Sequence, residues 1–114
     1  MKPPQYEKMD RGREEAIPKA FQRVCGNVGR YRLVKVPPPK RIDGWIDPIS
    51  RATFEVRERG SKELVAEIYP NGHYQCYKDD FKQYYLEILD IVEKAGKEAY
   101  DMFAKEYEKR RQSN

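Results

Sequence analysis

The period of the hydrophobic pattern changes near Lys78, and that change limits the folds open to this chain. Between Arg30 and Lys78 apolar and polar residues alternate in short runs; after it, apolar residues recur every three or four positions. ATFEVRER (52–59) puts Phe54 and Val56 on one face and Thr53, Glu55 and Arg57 on the other. LVAEIY (64–69) and HYQCY (73–77) flank Pro70-Asn71-Gly72. Asn-Gly between two alternating runs is a strong short-range hairpin signal. RYRLVKV (30–36) reads as a further strand, with its alternation slipping at Val34.

Beyond Lys78, Phe81, Tyr85, Ile88, Val92, Ala95, Ala99 and Phe103 form a helical stripe that Tyr84, Ile91 and Met102 widen. Asp79 or Asp80 is placed to cap this helix, and Asp80 with Gln83 approximates a capping box. The helix is expected over about 79–111, a length of about 45 Å at 1.5 Å per residue, longer than a small sheet is wide. Gly96 divides it into a half that covers the sheet (79–95) and a half that projects (97–111). The projecting half carries Ala99, Met102, Phe103 and Tyr107, a stripe that needs a cover. Either a second copy of the chain or the N-terminal helix supplies it.

The expected fold is therefore α+β: a small antiparallel sheet of three to four strands, a long C-terminal helix packed on one face, and a short N-terminal helix. With 114 residues the chain is one domain, read as a flexible arm over 1–10 and an α+β body over 11–114. The arm reading rests on the prolines of MKPPQYEKMD. In REEAIPKAFQRVCGN, Ala16, Ala20, Phe21 and Val24 lie at helical spacing, which requires Pro18 to fall in the first turn.

Charge is unevenly placed. Residues 1–61 carry 14 Lys and Arg against eight Asp and Glu, and residues 62–114 carry nine against 11. From Ala16 to Ile42 there is no acid at all, while Lys19, Arg23, Arg30, Arg32, Lys35, Lys40 and Arg41 are present. Such a field favours an anionic partner. The window runs into PPPKRIDGWIDPIS (37–50), a proline-rich loop holding the single tryptophan, Trp45.

Enzyme chemistry finds little to use. The one histidine, His73, and Cys76 stand three apart on an alternating strand, hence on opposite faces, where they cannot share a metal or form a nucleophile pair. Phosphate-loop and dinucleotide fingerprints are missing, and Asp43, Asp47, Asp79 and Asp80 suit turns and caps. The expectation is no enzyme, no metal and no cofactor. No apolar run reaches the roughly 20 residues of a membrane span and no signal-peptide pattern opens the sequence, so a cytoplasmic chain without membrane contact is expected. Abundant charge with few Gln and Asn leans toward a thermophilic source.

Cations beside aromatic rings are what a sequence-tolerant single-strand binder requires. The expected site uses Arg30, Arg32, Lys35, Lys40 and Arg41 to hold phosphates, and Tyr31 and Trp45 to stack on bases. Tyr74 is a lesser member, since strand parity can turn it toward the core. The order of elements, strands then one long covering helix, is similar to that of the Whirly group of single-stranded-DNA-binding proteins; the likeness is of element order, and no residue carries over. The reading is thus single-stranded DNA or RNA binding with little sequence specificity. The alternative is a non-enzymatic interaction or structural module, of the kind a viral or phage accessory protein supplies, acting through its C-terminal helix.

Overall fold

The computed structural model describes residues 4–37 and 53–112. Helix α1 (Pro4–Cys25) leads into strand β1 (Tyr31–Val36), followed by β2 (Thr53–Glu58), β3 (Leu64–Ile68) and the short β4 (Tyr74–Cys76). A single 3₁₀ turn (Asp79–Phe81) opens helix α2 (Lys82–Gln112). The four strands form one antiparallel sheet in the order β1-β2-β3-β4, and both helices lie on one of its faces. The fold is α+β, as the change of period implies. No described helix is long and apolar enough to cross a membrane.

Alternation decides which side chains meet the helices. Phe54 and Val56 of β2, Ala66 and Ile68 of β3, and Tyr31 of β1 are buried with Phe81, Tyr85, Ile88 and Val92 of α2 and Ile17, Ala20 and Phe21 of α1. Fully burying one such side chain is worth about 1.5–3 kcal/mol, so this layer carries most of the stability. A register shift between β2 and β3 at Val56/Arg57 makes room for consecutive buried residues, Val65 and Ala66. The Asn-Gly turn forms as expected: Gly72 has a φ of 91° and its N–H donates to the Tyr69 carbonyl.

Two features of the helices differ from the sequence reading. Helix α1 begins at Pro4, so residues 4–10 are helical where an arm was expected. Proline suits a first helical position, whose N–H has no intrahelical partner. Pro18 lies well inside α1, not in its first turn. It cannot donate to the carbonyl four residues back, but it faces solvent, and packing of α1 along α2 holds the helix on both sides of it.

Helix α2 runs unbroken through Gly96, which is buried against α1. A Cβ at Gly96 would lie 2.9 Å from Arg13 Cγ, and one at Gly12 would lie 2.7 Å from Ala99 Cβ. The glycines therefore let the two helices approach closely, and α1 covers the Ala99 end of the stripe expected to project, while Met102 and Tyr107 stay exposed. Neither Asp79 nor Asp80 caps the helix; Lys78 takes the cap position without a side-chain bond. Asp80 is turned to Arg30 instead.

A charged cluster pins three elements together at this crossing. The Arg13 guanidinium is buried, with Nη1 3.1 Å from Asp10 Oδ1 and 3.4 Å from the Pro70 carbonyl, and Nη2 3.2 Å from Glu93 Oε2. The Tyr74 hydroxyl donates to the other oxygen of Glu93. One arginine thus ties α1 to α2 and to the β3–β4 turn.

Candidate nucleic-acid interface

The face of the sheet turned away from the helices is laid out in rows by the strand register. Arg32 stands directly opposite Arg57, and Val34 opposite Glu55. Glu55 faces Glu67, which in turn faces Gln75. One row across the sheet therefore reads Val34, Glu55, Glu67, Gln75. The neighbouring row, one pleat or roughly 7 Å along the strands, begins Arg32, Arg57. Beyond the strand ends the Arg59 N–H donates to the Arg30 carbonyl at 2.9 Å, and the Arg30 guanidinium turns to Asp80 at the start of the helical layer.

The arginines differ in how far they are committed. Arg30 is bound by Glu58 and Asp80, each at 2.9 Å, and its guanidinium lies 5.2 Å from the centre of the Tyr31 ring. The hydrogen bond from Arg30 to Glu58 raises its pKa further, so it stays charged. Arg57 donates to Glu55 at 3.1 Å and to the Lys62 carbonyl at 2.9 Å. Arg59 donates through Nε to the Tyr31 carbonyl, and Arg32 is exposed. Among the described residues neither Arg32 nor Arg59 has a carboxylate within 4 Å. Like charges directly opposite on paired strands are unfavourable. Among the described residues Glu55 pairs with Arg57, and no carboxylate pairs with Arg32.

Two outward tyrosines organise the acidic row. The Tyr77 hydroxyl donates to Glu67 Oε1 at 2.9 Å, and the Tyr69 hydroxyl donates to Oε2. The bond to Glu67 pushes the Tyr69 hydroxyl up to about 12, with burial adding to it, and raises Tyr77 in the same direction. Both remain neutral donors at physiological pH. Tyr77 is 51% exposed, so its ring is open to a partner.

Of the residues the sequence singled out, Arg30, Arg32, Tyr31, Lys35 and Tyr74 are described; Lys40, Arg41 and Trp45 lie outside the described residues. Arg32 stands on the outer face as expected. Tyr31 does not: it is 3% exposed, with its ring edge-on to Phe81 at 4.8 Å and to Tyr84 at 6.2 Å. Tyr74 also faces inward, packed on Tyr85, and burial raises its hydroxyl above the usual range, with the Glu93 bond adding to this. Tyr31 is a core aromatic, and Tyr74 is a half-buried one packed against that core. Lys35 shares their parity and turns toward the helical layer, 3.9 Å from Glu14 of α1 and over the Phe54 ring, with its side chain largely exposed.

Arg57 and Arg59 were missed as site residues, although their place on the polar parity of ATFEVRER was legible. Their pairing with β1 was not. The Cys25 thiol is buried and pushed up to about 11, chiefly by burial and then by Glu87, which leaves it an inert core group. His73 packs on Tyr69 at the hairpin, and Cys76 bonds the Lys78 carbonyl. Among the described residues no three His, Cys, Asp or Glu side chains gather as metal ligands. No family model, curated protein or solved structure matches the chain.

Proposed function

We propose that this protein binds nucleic acid, single-stranded DNA or RNA, with little sequence specificity, through the β1–β2 side of the outer sheet face. The observation that carries the reading is the cross-strand pair Arg32–Arg57, extended by Arg59. Opposed arginines of which only Arg57 is paired with a carboxylate among the described residues favour an added anion, and a phosphate backbone supplies anions at regular intervals. Arg30 contributes to the local field while its two carboxylates hold it in place. Stacking is assigned to Tyr77 in place of Tyr31 and Tyr74.

Fluorescence anisotropy of a labelled 20-mer single strand at two salt concentrations tests this. Binding at micromolar concentration or tighter that weakens steeply with salt is expected; no binding at low salt ends the reading. Arg32→Ala with Arg57→Ala should weaken binding to all sequences alike and lower the salt slope by about two.

A second reading, an interaction or structural module acting through α2, draws on Met102 (63% exposed) and Tyr107 (58% exposed), which flank the half-buried Phe103. Because α1 covers Ala99, this apolar strip is narrow. Sedimentation as a dimer at high micromolar concentration, lost in Met102→Glu with Tyr107→Glu, would favour it.

A further inference from the structure

On their solvent side α1 and α2 leave a groove between them. The helices run antiparallel, with Tyr6 beside Tyr100 and Arg13 beside Glu93. Two cavities open along the groove, one of about 570 Å³ beside Arg23 and one of about 210 Å³ at the Gly12–Ala99 approach. Their floor is small and apolar: Val24, Ile91 and Ala95 in the larger, Gly12, Ala99 and Phe103 in the smaller.

The two walls of the groove differ in sign. Helix α1 contributes Lys8, Arg11 and Arg23 against one acid, Glu15. Helix α2 contributes Glu87, Asp90, Glu98 and Glu106 against one lysine, Lys94. Every one of these side chains is exposed. Opposite walls attract, yet among the described residues no ion pair joins them across the groove within one chain. Arg11 lies 3.9 Å from Glu7 and Lys94 3.1 Å from Asp90, each along its own helix. Exposed pairs of that kind contribute little and leave the walls open to a partner.

A positive stripe beside a negative one is its own complement under a two-fold axis laid along the boundary between them. Rotation about that axis carries α1 of one copy onto α2 of the other at the same level. Arg23 and Glu87 line one cavity, and Lys8 and Glu106 the other, so Arg23 comes over Glu87 and Lys8 over Glu106. The two residues of the minority sign obey the same rule. Glu15 follows Gly12, and Lys94 precedes the Ala95 and Ala99 that Gly12 meets. In antiparallel helices those positions lie on the same side of the crossing, so Glu15 of one copy comes over Lys94 of the other. An axis across the groove would instead set cation on cation, which is costly. The area suffices as well: 22 residues of α1 and a width of two helices make a face of about 33 by 20 Å, about 1,300 Å² over both copies, within the range of stable interfaces. Met102, 63% exposed at the rim of the smaller cavity, adds apolar contact.

We propose that a second copy of this chain occupies the groove, related by a two-fold axis along its length, with α1 of each copy lying on α2 of the other. The dimer uses both helices and not the end of α2 alone, and it is independent of the nucleic-acid reading. The two outer sheet faces, each with Arg32 opposite Arg57, stay open on opposite sides of it.

Analytical ultracentrifugation of the whole chain at high micromolar concentration and low salt tests this. Wild type should sediment as a dimer whose dissociation constant rises with salt. Lys8→Glu with Arg23→Glu makes both walls negative, and Glu87→Lys with Glu106→Lys makes both positive. Each variant should keep the wild-type circular dichroism and urea midpoint while associating about a hundredfold more weakly. Mixing the two variants one to one should restore a dimer, since every wall then meets its opposite. A monomeric wild type overturns the proposal. So does a dimer that survives either reversal, and so does one that both reversals abolish and mixing does not recover.

Discussion

The two faces of this sheet are built from overlapping residue types used in opposite ways. On the inner face Tyr31 and Tyr74 are aromatic filling, wedged against Phe81 and Tyr85. On the outer face Tyr69 and Tyr77 turn their hydroxyls onto Glu67, and Tyr77 is half exposed. Arginine divides similarly. Arg13 is buried among Asp10, Glu93 and the Pro70 carbonyl, whereas Arg32 stands opposite Arg57. A buried cation paired with carboxylates holds elements together; an exposed cation facing another is available to a ligand. Residue type alone does not separate the two roles. Strand parity and packing do.

That contrast can be broken from the inside outward. Phe54→Ala, at the centre of the inner face, should cost about 3–5 kcal/mol in urea unfolding while leaving the outer arginines in register. Arg13→Ala should cost about 3 kcal/mol, because Asp10 loses its buried counter-charge. The accompanying loss of amide-exchange protection should concentrate at the Pro70–Gly72 turn and the α1–α2 crossing.

A smaller effect comes from pH. The Cys25 thiol rises from an ordinary value near 9 to about 11 in the folded chain. Below pH 9 the thiol keeps its proton in both states and the stability is fully present. Between about 9 and 11 the unfolded chain loses that proton while the folded chain retains it, so stability should fall, by about 2 kcal/mol from this group. Urea midpoints for wild type and Cys25→Ala at pH 7.5 and 10.5 isolate it, since the buried tyrosines titrate in both proteins. The smallest expected change in stability lies on the outer face. Arg32→Ala with Arg57→Ala should shift unfolding by less than about 0.5 kcal/mol, while binding to single strands collapses. A large stability loss in that variant would mean the arginines hold the fold together and are no site.

Much of the architecture is legible in local patterns because period reports face. The alternation of Phe54 and Val56, the Asn71-Gly72 turn and the stripe from Phe81 to Phe103 each resolve into the element they imply. The start of α1 does not, for a physical reason. Its first buried positions are Asp10 and Arg13, which a hydrophobic period cannot register, and their burial is tolerable only because Glu93 and Pro70 arrive from elsewhere in the chain. Of the candidate site, Arg32 was legible from the acid-free window. Arg57, the Glu55–Glu67 opposition and the place of Gln75 depend on the register between strands, which no single run contains.

By itself, then, the sequence determined the set of elements, the order in which they come and the inner and outer parity of β2, because these follow from backbone periodicity and turn chemistry. Only the tertiary structure decided that Tyr31 and Tyr74 are core, that α1 covers α2 across Gly12 and Gly96, and that two arginines from different strands face one another. Those outcomes are set by pairing and close approach between segments distant in the chain, and such contacts leave no periodic trace in either segment alone.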